Sequence, residues 1–231
     1  MKYTYLLVNF FTIIIPFIFS FHPRLQFYKT WRAFFPAVFF TGLFFVLWDN
    51  YFTGLGIWGF NEQYLSGIFI GNLPLEEILF FFCIPYACVY TYHCIDLFLK
   101  DRAEHPLESK LTVFFIASFI ITGILHYQQV YTLFAFICAA IFLIVAKYVM
   151  KVQWLSRFYL IYGILLFPFL IVNGVLTGTG LENPVVWYNE AEIFGTRILT
   201  IPVEDVFYGM AMVLMNLLIY KSLIPKAIQV K

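Results

Sequence analysis

The sequence predicts an all-α, polytopic membrane protein of about seven transmembrane helices, set out as two parallel three-helix repeats joined by a linker helix. Three observations predict it. The first is composition: 62% of the 231 residues are hydrophobic and only 12% are charged, too little polar surface to cover a water-soluble core. The second is that basic residues crowd into alternate loops. The third is a polar signature that occurs twice. Phe60-Asn61-Glu62 precedes Pro74-Leu75-Glu76-Glu77, and Tyr188-Asn189-Glu190 precedes Pro202-Val203-Glu204-Asp205. Asn61 and Asn189 are separated by 128 positions, and Pro74 and Pro202 by the same 128, without a gap.

Apolar runs at about 3–21, 34–53, 75–98, 111–127, 130–150, 158–177 and 203–222 approach the roughly 20 residues a helix needs to cross the hydrocarbon layer. None shows the alternation in short segments that a transmembrane barrel requires. The first run follows Lys2, as a secretory leader would, but it is long and no A-x-A-like site precedes His22, so a retained helix is expected. Spans four and five are divided only by a tight turn near Gln128-Gln129. The first repeat is taken as 1–98, the linker with the fourth span as 99–129, and the second repeat as 130–231, together one functional unit.

Charge sets the expected orientation. Arg24, Lys29 and Arg32 lie between spans one and two, and Lys100, Arg102 and Lys110 between three and four. Lys151 and Arg157 lie between five and six, and Lys221, Lys226 and Lys231 close the chain. Loops 54–74 and 178–202 hold one basic residue between them, Arg197. By the positive-inside rule the basic loops are cytoplasmic, the N-terminus is outside and the C-terminus is inside. Both acidic signatures then open spans three and seven from the non-cytoplasmic side. Four crossings separate them, an even number, so the repeats are parallel.

Proline and acids suit the first turn of a helix, where the missing N–H costs nothing and each acid gains about 0.3–1 kcal/mol from the helix dipole. Capping alone does not call for two adjacent acids in each half. An acid near the bilayer centre costs about 2.5–3.5 kcal/mol on insertion scales, and such acids usually face a functional interior. Neighbouring helical positions diverge by about 100°, so one acid of a pair can face a cavity while the other contacts the partner half. Phe80 and Phe81 lie on the face of Glu77, and Phe207 and Tyr208 lie beyond Glu204. Asp49, next to Trp48, and Asn173 each precede a glycine-bearing loop, and each reads either as a polar helix contact or as part of the site. Arg197 reads either as a partner for an acid across the halves or as an interfacial cation. Trp48, Trp58 and Trp187 suit an interfacial belt. Thirty phenylalanines read either as lipid-facing side chains, which accounts for many of them, or as the lining for a large, flexible apolar ligand.

Other signals carry less. Cys83, Cys88, Cys94 and Cys138 form no CxxC pair and read as small buried hydrophobes. The histidines lack metal-ligand spacing, so no metal site is expected. Gly54-Leu55-Gly56-Ile57-Trp58-Gly59 fits GxGxxG but follows a membrane helix rather than a strand, which excludes a dinucleotide fingerprint. A net charge of +1 gives no sign of a nucleic-acid partner.

Several stretches occur together and in order. They are Ser20-Phe21, Trp48-Asp49, Gly56 to Asn61, Leu73 to Glu77, Phe80-Phe81 and Ile84-Pro85 in the first half, then Asn173 to Gly178, Pro184 to Asn189 and Arg197 to Asp205 in the second. Over most of its length the chain resembles the small integral-membrane lycopene cyclases, which occur as heterodimers or as a fused pair of related domains; this chain resembles the fused form. The resemblance implies conversion of linear carotenoid ψ-ends into β-ionone-type rings, lycopene giving γ- and β-carotene, with no net redox change and no soluble cofactor. It implies as partners a linear carotenoid, the lipid bilayer, and either a second copy of the chain or other carotenoid enzymes. Such chemistry needs a general acid at the terminal double bond, a base, a dry pocket and aromatic faces for a cation. Glu77 and Glu204 are the leading acid/base candidates, with Glu76 and Asp205 tuning them. Trp48, Asp49, Phe80, Asn173, Tyr188, Arg197 and Tyr208 are candidate substrate-binding residues. Which carboxyl donates is left open. A proton-coupled transporter or channel would also set acids between parallel repeats. A retinal-type photoreceptor would need a lysine in the middle of the last span, and Val206 to Met215 has none. A prenyltransferase would need Asp-rich metal motifs that the chain lacks.

Overall fold

Uninterrupted apolar runs too long for strands become helices. The computed structural model describes residues 2–99 and 106–224. Lys100, Arg102, Lys226 and Lys231, which contribute to the charge pattern, lie outside the described residues. The helices are α1 (Thr4–Phe19), α2 (Trp31–Gly54), α3 (Leu75–Phe98), α4 (Glu108–Leu125), α5 (Val130–Ile144, prolonged by one π turn), α6 (Leu155–Leu176) and α7 (Val203–Leu223). Six of them are long and apolar enough to cross a membrane, so this is an integral, multi-pass membrane protein. The expected count of seven is not met on length: α1 has 16 residues, about 24 Å at 1.5 Å per residue against a hydrocarbon layer of about 30 Å.

The two loops poor in basic residues carry short strands, which the hydropathy pattern does not announce. They are β1 (Trp58–Phe60), β2 (Phe69–Ile70), β3 (Leu73–Pro74), β4 (Val186–Tyr188), β5 (Arg197–Ile198) and β6 (Ile201–Pro202). β2 and β3 form a tight hairpin with Phe69 opposite Pro74, and β5 and β6 form another with Arg197 opposite Pro202. The corresponding residues are again 128 apart. Each turn needs a left-handed residue. Gly71 supplies it at φ +64°, whereas at the matching position Leu199 takes φ +58° against its own side chain.

β1 and β4 pair antiparallel across the loops, with Gly59 opposite Trp187 at the centre. Asn61 N–H donates to the Val185 carbonyl and Asn189 N–H to the Ile57 carbonyl, both at 2.9 Å, so the ribbon is extended equally at both ends. A side chain on Gly59 would put its Cβ 2.4 Å from the Trp187 indole, which therefore requires glycine there. This ribbon brings the N-terminal ends of α3 and α7 to the same end of the bundle.

Below the ribbon, α2 packs between α3 and α7, α1 lies along α3, and α5 lies along α7 and α4. Buried Phe34, Phe45, Tyr86, Leu143, Leu214 and Leu217 belong to the main core. Cys83 is buried and Cys88, Cys94 and Cys138 are half-buried. The opposite end is tied by ion pairs: Asp96 with Arg157 and Lys221, and buried Glu108 with Lys147 at 2.5 Å.

Two stability tests follow from this geometry. Gly59→Ala should lower stability in detergent by about 1–3 kcal/mol through overpacking, and much of the loss should return in a Gly59→Ala/Trp187→Ala double variant; purely additive effects would show that the two residues do not compete for space. Leu199→Gly should raise thermal stability by about 0.5–1 kcal/mol, relief of the left-handed backbone less the entropy cost of glycine. A drop would mean that the exposed leucine makes a contact worth more than its strain.

Candidate active site

Each position of the doubled signature has a separate local job. The asparagines are turn formers: the Asn61 side chain accepts from Gln63 N–H and the Asn189 side chain from Ala191 N–H, each starting a short 3₁₀ turn. Glu62 is exposed, and Glu190 pairs with Arg197 at 2.6 Å. Pro74 and Pro202 hold extended backbone immediately before the first residues of α3 and α7. Leu75 N–H then reaches the Ile68 carbonyl at 2.8 Å, and Val203 N–H reaches that of Thr196 at 3.0 Å.

The two acids of each pair diverge, as helical geometry requires. The first acid is a strut for its own loop. Glu76 Oε1 accepts Ser66 N–H at 2.6 Å, and Glu204 Oε1 accepts Phe194 N–H together with the Thr132 hydroxyl. Both are fully buried, and the second oxygen of each has no hydrogen-bond partner among the described residues. The second acid faces inward. Glu77 and Asp205 line a cavity of about 640 Å³ bounded by α1, α3, α6 and α7 beneath the β1–β4 ribbon, and Asp49 from α2 joins them at its polar end.

The donors for these three carboxylates come from other elements. Tyr5 of α1 donates to Glu77 Oε2 at 2.5 Å. Asp205 receives three hydrogen bonds: from Tyr131 of α5 at 2.6 Å, from Asn173 Nδ2 of α6 at 2.6 Å, and from Tyr188 of β4 at 2.9 Å. Asp49 receives one, from the Trp58 indole of β1, and its other oxygen is buried without a partner among the described residues. Burial and then the nearby Asp205 carboxylate hold the Tyr188 phenol well above its ordinary pKa, so it remains a donor.

Aromatic side chains continue the wall. Phe80 and Tyr208 line the cavity three residues beyond Glu77 and Asp205, which is the same face of the helix. Tyr208 is backed by Phe45 and Trp48, with ring centroids 5.0 and 5.2 Å away. Below this level the wall is apolar side chains such as Ile84, Val172 and Met212.

Of the residues expected from sequence, Glu77, Asp205, Asp49, Phe80, Asn173, Tyr188 and Tyr208 are brought together around the cavity, while Glu76, Glu204, Trp48 and Arg197 are not among its lining residues. Of the two leading acid/base candidates, Glu77 lines the cavity and Glu204 does not: Glu204 is turned toward the Phe194 amide, and its neighbour Asp205 lines the cavity. Arg197 does not bridge to an acid across the halves: it holds the Thr200 carbonyl at 2.6 Å and Glu190, both in its own loop. Trp58 is buried and bonded to Asp49 rather than lying in an interfacial belt. Phe81 packs against Phe45, and Phe207 against Phe119 and Phe136. Tyr5 and Tyr131 were not singled out by sequence reasoning. Their signal was available: each is a tyrosine beside a threonine at the start of a span, in positions 126 apart.

Neither the comparison with curated proteins nor that with solved structures found a match. A family model described as lycopene cyclase matches residues 2–95 and 128–223, two segments that each end beyond one copy of the signature and together make up most of the chain. The chain belongs to the lycopene cyclase family.

Proposed function

We propose that this protein cyclises the acyclic ends of lycopene by general acid–base catalysis, giving γ- and then β-carotene with no net redox change. The observation that carries this reading is that Glu77 and Asp205, which open two different helices 128 residues apart, face one apolar cavity with aromatic walls. Cyclase-type activity follows from the family; the roles below are the proposal.

The donor counts favour a division of labour. Three hydrogen bonds converge on Asp205 and suit an acceptor-only carboxylate, fitted to oppose a developing cation and to take the proton that leaves. Among the described residues Glu77 has one donor, Tyr5, and it is the group that delivers a proton to the terminal double bond. Attack of the next trisubstituted double bond on the resulting tertiary cation closes the ring, and loss of a proton to Asp205 from the cation so formed restores a double bond. Each ring closure leaves Glu77 ionised and Asp205 protonated with net charge unchanged, and the site is reset when Asp205 gives up its proton and Glu77 takes one up by exchange with solvent. Phe80 and Tyr208 present ring faces to the cation, worth about 0.5–2 kcal/mol each. Asp49, Asn173 and Tyr188 hold the geometry. Glu76 and Glu204 serve the loops that cover the site.

The membrane arrangement belongs to the same proposal. Residues 1–98 and 130–231 are two parallel repeats joined by a linker with α4, α1 is the seventh crossing, and the acids lie on the non-cytoplasmic side with the N-terminus outside. The matched hairpins, matched 3₁₀ turns and matched loop struts support the repeat; the charged end formed by Arg157, Lys221 and Lys147 supports the orientation.

Expression in lycopene-accumulating cells with pigment chromatography tests the activity: cyclic carotenoids should replace lycopene, and unchanged lycopene beside confirmed membrane expression would overturn the reading. Site roles are separable by isosteric variants. Glu77→Gln and Asp205→Asn should each lower ring formation about 10²–10⁴-fold, the usual worth of a positioned acid or base. Glu204→Gln keeps a carbonyl for the Phe194 amide and should stay within about tenfold of the parent. Equal loss in all three would contradict the division between strut and chemistry.

A further inference from the structure

The cavity has an open side. Along α3 its wall runs from Glu77 to Thr91, about 21 Å at 1.5 Å per residue, and it ends at the acids beneath the ribbon. Leu7, Phe11 and Ile15 of α1 and Ile171 of α6 line the cavity and are also 44%, 66%, 62% and 57% exposed. A side chain that belongs to both the cavity wall and the outer surface marks an edge. Four of them on facing helices mark a slot that opens sideways, into lipid for a membrane-spanning bundle.

If the halves were fully equivalent, the same slot would recur between α5 and α2. There it is shut by aromatic contacts. Phe134 of α5 packs on Trp48 and Phe52 of α2, with centroids 6.2 and 5.3 Å apart, and Phe142 packs on Phe44 at 6.2 Å. Behind them, Phe45 and Trp48 lie against Tyr208 and fill the space where a second groove would run. Among the described residues, the acids Glu77 and Asp205 therefore lie at the closed end of the groove on the α1–α6 side, and rings fill the α2–α5 side.

Resting on the cyclase reading above, we infer that the α1–α6 slot is the lateral passage between bilayer and site, and that the carotenoid is handled one end at a time. A linear carotenoid slides in end-first, with its remainder in the slot and the lipid. The polyene is stiff and the groove closes at the acids, so the second end reaches Glu77 and Asp205 only after the monocyclic product has left and turned round. Release is built into the geometry, and the monocyclic carotenoid is a free membrane species between the two rings.

An isotope-dilution experiment on the unaltered protein tests this. Vesicles containing the purified protein receive lycopene of natural mass together with γ-carotene of heavy isotope composition, and early β-carotene is analysed by mass. The expected result is β-carotene whose heavy fraction matches that of the γ-carotene pool from the first time points. Accumulation of free γ-carotene with little β-carotene is the limit of the same behaviour and also supports release. Early β-carotene free of heavy isotope would mean both ends react in one visit and would overturn the inference while leaving the cyclase reading intact. No ring from either carotenoid would remove the cyclase reading itself. At the rim, Ile15→Trp and Ile171→Trp should each lower kcat/KM about tenfold, as changes of fit in an apolar site do, whereas Phe142→Leu on the shut side should leave it within about twofold. The reverse ranking would move the passage to α2 and α5.

Discussion

A carboxylate inside a membrane bundle must be met by hydrogen-bond donors, because no bulk solvent is present to meet it. That constraint organises this protein. The donors to Glu77, Asp205 and Asp49 come from α1, α5, α6 and the two strands of the ribbon. Glu76 and Glu204 draw theirs from loop amides ten residues earlier. Satisfying the acids thus fixes how the first helix sits on the third, how the fifth sits on the seventh, and how both loops fold over the helix ends. The site and the fold at that end of the bundle are the same set of bonds.

The acid pairs show how one short motif can serve two ends. Adjacent residues at the start of a helix point about 100° apart, so a single proline-led turn sends one carboxyl up into the loop and the next into the cavity. The first acid ties down the loop that covers the cavity, and the second faces into it. Equivalence between the halves is then broken in a useful way. Asp205 has three donors where Glu77 has one, and the α2 side is packed with rings where the α1 side is open. Two helices that open alike thus present differently partnered acids to one cavity.

Much of this was legible in the sequence. Span positions agree with the helices to within a few residues, and the 128-residue offset holds at every turn, hairpin and strut between residue 57 and residue 77. The same offset pairs Glu77 with Asp205. Which acid of each pair faces the cavity is not legible in the motif itself; it follows from position on the helix once the loop and the neighbouring helices are in place. Asp49 and Asn173 were harder to match, since they sit 124 apart. Phe52 and Leu176 accept from Ile57 and Val185, however, and those acceptors are 124 apart too. The second loop is longer by four residues, which restores the register. What composition could not give was the β1–β4 ribbon, because three-residue strands paired across distant loops leave no periodic trace. Nor could it give Trp58 as a donor, since a buried indole and an interfacial one look alike in a list of residues.

The central claim is that an exchangeable carboxyl proton is delivered to the carotenoid at the closed end of the groove. Ring formation from lycopene in deuterium oxide, followed by mass analysis of the product, tests it most directly. Delivery from Glu77 requires one deuteron gained for each ring closed, so γ-carotene should carry one and β-carotene two. Rings that form at normal rate with no deuterium gained would mean that the hydrogen moves within the substrate, and the acid–base account would be wrong.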